Sequence, residues 1–394
     1  MHEPADGSAI HEPDAAASPA VTRVWVLLDD RPGNTTQAIG LAEALAFPFE
    51  RKLLCFNALA NLPNWLLGAT RRTLDADGCV GLEPPWPAVV ISAGRRTAPV
   101  ARWIGQQSHG ETHLVQLGRK GGIAADSFDV VITPLHTRML PHPRRIETLG
   151  PLNPITGERL KAAVLRWPHL VDGLPRPLVV LLVGGSTPRY TLGAELAGRM
   201  GADVSAFART QGGTVLVVTS RRTGVDATRA LSAAVSPQGE VRLWQPDGDS
   251  PYAGYLAHAD ILVVTGESES MLGEVAAVGK PVYIYPIPQT PATVKTRLKE
   301  WMLAKALAHA PSADPVACRS SSPIAALCAA LISRGIVMPP RRIEVLHQAL
   351  IDRGIARHFG QAFPQAPAPL RETADVARRV KDLLGLSQAS STPR

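Results

Sequence analysis

What most constrains this chain is a repeated unit. A short run of β-branched and aliphatic residues enters a Gly- or Asp-rich turn, and a stretch of helical periodicity follows. VWVLL (24–28) with its turn DDRPGN begins the series, and AVVISAG (88–94), HLVQLG (113–118), FDVVITP (128–134) and RRIETLG (144–150) continue it. Such runs alternating with helical patterns predict parallel βαβ units. After the first turn, Ala38, Leu41, Ala42 and Leu45 fall on one helical face, with Asn34 and Gln37 resembling a capping box. A second helix is expected from about Thr97, with Pro99 tolerated in its first turn. NLPNWLLGATRR, between Phe56 and Trp86, fits neither pattern.

VDGLPRP (171–177) reads as a linker, and PLVVLLVGGSTPRY then opens a second series. GTVLVVTSRRTG, ADILVVTGESES and KPVYIYPIP repeat the strand-to-loop design, so two similar modules join near residue 175. The division expected for the 394 residues is an acidic tail over 1–22, a first Rossmann-like domain over 23–174, a second over 175–325, and helices over 326–394 packed back on the body. The tail carries Glu3, Asp6, Glu12 and Asp14 and lacks the basic and apolar regions of a signal peptide, which predicts disorder. Ala310 to Pro323 is Ser/Pro/Ala-rich and expected to be a loop, whereas RRIEVLHQALIDRGI and ETADVARRVKDLL are amphipathic helices.

Hydrophobic residues at 45% and charged residues at 19% exclude global disorder. The net charge of +7 comes mostly from Arg, which suits bidentate capture of phosphate or carboxylate; a biased genome would give the same excess. Cys55, Cys79, Cys318 and Cys328 show no metal-ligand spacing and fit a reducing compartment. No apolar run approaches the roughly 18 residues that span a bilayer, so a cytoplasmic protein is expected, at most peripheral to a membrane. Asp75-Ala76-Asp77 and Asp247-Gly248-Asp249 have the DxD spacing of some metal sites, but both lie in turn-rich stretches where Asp is common anyway. No metal, cofactor or nucleic acid is expected. The basic helix TVKTRLKEWMLAKAL suits either a solvated outer face or contact with an anionic membrane.

Ligands of open α/β sheets bind beyond the carboxyl ends of the strands, which makes those loops the candidates. In ILVVTGESESMLGEVAAVGKPV, Gly266 permits a tight turn and Ser268 or Ser270 can cap the next helix, whose N-terminus suits a diphosphate. Glu267 and Glu269 lie in the loop, and Glu274 lies where a carboxylate accepts ribose hydroxyls or merely complements the helix dipole. In the first half, Asp29 or Asp30 is a candidate general base if burial raises its pKa, unless Arg31 holds either one as a structural ion pair. His136 is a second candidate base or an ordinary loop residue, and Arg31, Arg95 and Arg96 are candidates for a donor or acceptor phosphate.

EVAAVGKPVYIYP resembles the nucleotide-sugar segment of GT-B glycosyltransferases, especially the bacterial one that adds N-acetylglucosamine to the peptidoglycan lipid precursor. Glu274, Gly279 and Pro281 match that pattern, and ESES departs from it. VGGSTPRY resembles the GT-B loop whose Gly and Ser residues contact the diphosphate. The resemblance would give that role to Gly184, Gly185 and Ser186, with Arg189 as a further phosphate partner; an ordinary βα turn is the alternative. DDRPGNTTQAIGLAEAL, ISAGRRTAPVARW, VITPLHTRM and TGESESMLGEVAAVGKPV together resemble the mitochondrial fission Elm family. Its plant member recruits a dynamin-related GTPase, and its bacterial relatives carry glycosyltransferase or nucleoside-diphosphate-sugar epimerase labels. The epimerase label lacks support, because no GxGxxG follows the first strand and no YxxxK pair stands out. The resemblance implies a GT-B-like α/β fold, two Rossmann-type parallel-sheet domains facing across a cleft. It also implies inverting, metal-independent transfer from a nucleotide-diphosphate sugar to an acceptor that is membrane-associated or free. The alternative it implies is a non-catalytic adaptor that keeps the fold and binds a protein partner.

Overall fold

The computed structural model describes residues 22–75, 81–118, 124–235, 239–242, 250–309, 322–362 and 367–386. The acidic tail, Asp77, Asp247–Asp249, Cys79, Cys318 and most of the Ala310–Pro323 stretch lie outside the described residues.

The first sheet contains β1 (Val24–Leu28), β2 (Phe49–Leu53), β3 (Val89–Ala93), β4 (His113–Leu117), β5 (Val130–Pro134) and β6 (Arg145–Thr148). All are parallel, in the order β2-β1-β3-β4-β5-β6. Both faces are covered. Val24, Val26 and Leu28 pack with α1 (Pro32–Leu45), while Trp25 and Leu27 face the other way into a core shared with α3 (Gly94–Gln107). Between them, α2 (Asn64–Leu67) lies in the stretch that fitted no pattern.

The two N-terminal helix signals read from the sequence need correction. Arg31 is the N-cap of α1 and makes no side-chain cap bond. Asn34 instead donates to Asp29 at 2.9 Å, and Gln37 donates to the Gly33 carbonyl. Pro32 at the first position starts this helix, since its fixed φ is already helical and its missing N–H costs nothing there. Helix α3 starts at Gly94 rather than Thr97, which places Pro99 inside it. Pro99 cannot donate to the Arg95 carbonyl, and Asn64 of α2 fills the gap with a 2.9 Å bond.

After α4 (Gly157–Arg166), the second sheet is built from β7 (Leu178–Leu182), β8 (Thr214–Val218), β9 (Gly239–Arg242), β10 (Ile261–Thr265), β11 (Val282–Tyr285) and β12 (Ala356–His358). Its parallel order is β12-β11-β10-β7-β8-β9. Counted from its own first strand and read from the β9 edge, that is 3-2-1-4-5-6, the order of dinucleotide-binding folds, with its reversal between β7 and β10. The helices of this half are α5 (Ala194–Thr210), α6 (Val225–Val235), α7 (Tyr252–His258), α8 (Glu269–Ala276), α9 (Val294–His309), α10 (Pro323–Ser333) and α11 (Ile343–Asp352). Helix α4 packs against α7, so the segment before the linker already lies against the second sheet.

The last helix, α12 (Glu372–Leu383), packs on α1 of the first sheet's layer. Val376, Ala377 and Val380 complete the core under α1, and the Glu372 carboxylate accepts the N–H groups of Leu149 at 2.5 Å and Gly150 at 3.1 Å. The two halves meet along Asn153, which donates to the Gly273 carbonyl at 3.1 Å, and along the Arg138–Glu300 ion pair at 2.6 Å. Two Rossmann-type domains thus face each other across a cleft, the GT-B-like arrangement.

Candidate functional site

The reversal of strand order between β7 and β10 leaves a crevice at their carboxyl ends, and the two loops that follow fill it. The Gly184 N–H donates to Thr265 Oγ1 at 2.9 Å, and the Gly185 N–H donates to Glu267 Oε1 at 2.6 Å. Gly185 has a φ of +139°, and a Cβ there would run into the Arg222 carbonyl, so only glycine fits. The Ser186 N–H donates to that same carbonyl at 3.3 Å, while its hydroxyl accepts the Leu192 N–H at 3.1 Å. All three amides of the glycine loop therefore have protein partners.

Beyond these loops lies a cavity of about 390 Å³, within the usual range for a small-molecule site. Arg189, Arg222, Lys299 and Arg341 reach it from four separate segments, and Glu267 and Glu269 face it as the only carboxylates among its described lining residues. The cations outnumber the carboxylates, which favours an anionic occupant. Two buried polar atoms of lining residues, Glu267 Oε2 and His136 Nδ1, have no protein partner. Unpaired buried polar atoms are costly, so this wall of the cavity carries a local energetic penalty.

His136 follows β5 and is almost fully buried. Its Nε2 bonds Glu269, the first residue of α8, directly across the cleft. The other Glu269 oxygen pairs with Arg341 at 2.6 Å, and Arg189 donates to the Arg341 carbonyl. Ser268 is the N-cap of α8 but makes no side-chain cap bond; its hydroxyl lies 3.5 Å from Arg222. The capping role expected of Ser268 or Ser270 is thus absent, and both instead line the cavity. Gly266 does not need a positive φ. A Cβ there would press on His347, whose Nε2 bonds the Gly266 carbonyl at 2.6 Å.

The other candidates fall away from this cavity. Asp29 accepts the Arg31 N–H at 3.1 Å and the Asn34 amide at 2.9 Å, and burial raises its pKa against the pull of those bonds. Asp30 pairs with Arg96 at 2.9 Å, so Arg96 and not Arg31 forms the ion pair in this loop. Arg31 is exposed. Arg95 points away and donates to the carbonyls of Leu62 at 2.5 Å and Ala60 at 2.6 Å. Glu274 is not a cavity-wall residue. It accepts the Tyr252 hydroxyl at 2.6 Å, and burial pushes its pKa up to about 7. The tyrosine hydroxyl occupies one of its two oxygens, Oε2.

Sequence reasoning missed Arg222, Lys299 and Arg341. Arg222 was within reach, since SRRTG follows a strand just as GESES does; the other two come from α9 and from the segment before α11, which no strand-end rule reaches. Among the described residues no cluster of His, Cys, Asp and Glu could hold a metal, and no helix is long and apolar enough to cross a membrane.

The family model described as Mitochondrial fission ELM1 matches residues 32–317. The Mitochondrial fission protein ELM1 of Arabidopsis thaliana is 27% identical over 241 residues, covering 56% of this chain and 54% of its own length, so the chain spans about half of that relative. An uncharacterized protein of Rickettsia prowazekii (strain Madrid E) is 28% identical over 307 residues, covering 66% of this chain and 82% of its own length. Among solved structures, the UDP-GlcNAc 2-epimerase from Methanocaldococcus jannaschii aligns at a TM-score of 0.47 with 10% identity, over 91% of this chain and 99% of that one.

Proposed function

The chain belongs to the mitochondrial fission ELM1 family, and from that premise we propose that it binds a nucleotide-diphosphate sugar in the cleft and transfers the sugar to an acceptor held by the first domain. The observation that carries this reading is the convergence of Arg189, Arg222, Lys299 and Arg341 on one cavity at the strand-order reversal of the second sheet. Four cations there would neutralise a diphosphate in the ground state and the charge that grows on it as the leaving group. That supports departure without a metal.

In an inverting displacement the acceptor hydroxyl attacks the anomeric carbon while the bond to the diphosphate oxygen breaks. A base removes the hydroxyl proton. Of the candidate bases, His136 is the one that lines the cavity, and its Nε2 is bonded to Glu269, so the base role is assigned to this His–Glu pair. Asp29 is weaker, since both its oxygens already accept hydrogen bonds, and Asp30 is exposed and paired with Arg96.

Calorimetric titration with UDP-, GDP-, ADP- and CMP-sugars tests the proposal. One of them should bind, and Arg222→Ala should weaken it about tenfold, the loss of one charge-assisted contact of roughly 1.4 kcal/mol. If none binds, the reading is wrong.

A second reading, a non-catalytic adaptor that keeps the fold, is favoured by one observation: the amides of Gly184, Gly185 and Ser186 are all bonded internally, to Thr265, Glu267 and the Arg222 carbonyl. A loop sealed in this way offers fewer donors to a diphosphate. Partner recruitment that survives Arg222→Ala, in a protein that binds no nucleotide sugar, would select this reading.

A further inference from the structure

We infer that the first domain carries a second ligand site, for an anionic group attached to an apolar body, and that this site receives the acceptor. The acceptor role rests on the donor reading above; the ligand chemistry does not.

The site is a separate cavity of about 390 Å³ between α2, α3 and the chain after α10. Its walls are largely apolar, with Trp65, Phe128 and Met338 prominent. Three arginines, Arg95, Arg102 and Arg334, reach into it, and no Asp or Glu is among its described lining residues. Elsewhere in the molecule comparable arginines have partners: Arg96 pairs with Asp30, Arg138 with Glu300 and Arg176 with Asp260. Within this cavity Arg95 is committed to the Leu62 and Ala60 carbonyls. Arg102, half-buried on α3, has no ion pair or side-chain hydrogen bond among the described residues, and burial lowers its pKa. Its half-buried guanidinium is left to water alone, and a carboxylate or phosphate entering the cavity would give it a charge-assisted partner.

The remaining features narrow the ligand. A bare inorganic anion leaves the aromatic and aliphatic walls unfilled, and a neutral lipid leaves Arg102 unpaired; an anionic amphiphile satisfies both. Asn64 donates its Nδ2 to the Arg95 carbonyl and so fixes α2 against α3 on one side of the cavity. Trp65, itself a lining residue, is 59% exposed, so the apolar wall continues to the surface. Position gives the role. Met338 lines both this cavity and the cationic one under α8, so the two share a wall.

The experiment is calorimetric titration of the full chain with decyl phosphate below its micellar concentration, alongside inorganic phosphate and the uncharged decyl maltoside. Decyl phosphate should saturate a single site, with both controls at least about 30-fold weaker. Arg102→Gln should weaken decyl phosphate about tenfold, the loss of one charge-assisted contact. Arg334→Gln, at an exposed position that cannot upset the core, should weaken it about threefold and serves as the readout if Arg102→Gln fails to fold. No saturable binding of decyl phosphate, or unchanged affinity in the variant that folds, overturns the site. Sedimentation with phosphatidylglycerol–phosphatidylcholine vesicles then separates the sources: co-sedimentation lost in the same variants identifies a lipid headgroup, and its absence a soluble amphiphile. A protein that takes decyl phosphate but no nucleotide sugar refutes the donor reading and the acceptor role with it. One that takes a nucleotide sugar but no decyl phosphate refutes this site alone.

Discussion

Glu274→Gln should raise the stability of this protein at neutral and alkaline pH and change it far less in acid. Burial pushes the Glu274 pKa from an ordinary 4.5 to about 7, and the hydrogen bond from Tyr252 only partly opposes that rise. A carboxyl whose folded pKa lies above its unfolded value binds its proton more tightly when folded. Its contribution is therefore fully present below the unfolded pKa and is lost as pH climbs through the folded one. A shift of about 2.5 units is worth roughly 3 kcal/mol once complete. Glutamine has nearly the same shape, can still accept from Tyr252, and never ionises, so it escapes the loss. Between about pH 5 and pH 8 the gap between variant and wild type should widen by roughly 2.5 kcal/mol in favour of the variant. For a domain of this size that is a melting temperature about 5–10 °C higher at the upper pH. Differential scanning fluorimetry of both proteins across that range isolates the effect, since every other titrating group cancels in the difference. A gap that does not change with pH, or a variant that melts lower than wild type at pH 8, would refute the claim that desolvation dominates at this carboxylate.

Three further perturbations test other parts of the structure. Gly185→Ala forces a side chain onto a φ of +139° and into the Arg222 carbonyl, and should cost at least about 2 kcal/mol, read as a melting temperature lower by several degrees; wild-type melting would mean the loop is not built as described. Asp30→Ala removes a carboxylate that is 72% exposed and paired only with Arg96, so it should change stability by less than about 0.5 kcal/mol in urea titration. Asn64→Ala strips the donor from the Arg95 carbonyl that Pro99 cannot serve, which should cost about 1 kcal/mol; no loss would show that water replaces it freely.

The most legible strands are those made almost wholly of aliphatic residues. VWVLL, LVVLL and ILVVT lie buried in the middle of their sheets, and only long runs of aliphatic residues suit such places. FERKL (49–53) was invisible for the opposite reason: as β2 it forms a sheet edge with three of five residues exposed, and its charges are what an edge strand uses to avoid pairing with other chains. The short β9 and β12 at the edges of the second sheet, of four and three residues, are too brief to show a pattern. The cavity was half legible. Glu267, Ser268, Glu269 and Ser270 follow a strand, and the strand-end rule finds them. Lys299 is brought there by α9 and Arg341 by the segment that leads into α11, and no local pattern records such packing. Arg95 and Arg96 show the converse. They also follow a strand, yet one is taken by backbone carbonyls and the other by Asp30, because local partners satisfied them before any ligand could.

The return of α12 to the first domain has a consequence for how the molecule is made. Leu149 and the Glu372 carboxylate that receives its N–H are separated by 223 residues. Ribosomes add about 5–20 residues per second, so on the order of 10–50 s pass before the helix that finishes the first domain can emerge. Throughout that interval the face of α1 meant for Val376, Ala377 and Val380 stands uncovered, while the second domain is threaded out and folds between the two pieces of the first. The earliest domain to begin is thus the last to close. Its nascent form presents an apolar surface on which a chaperone can act, or on which neighbouring chains can aggregate.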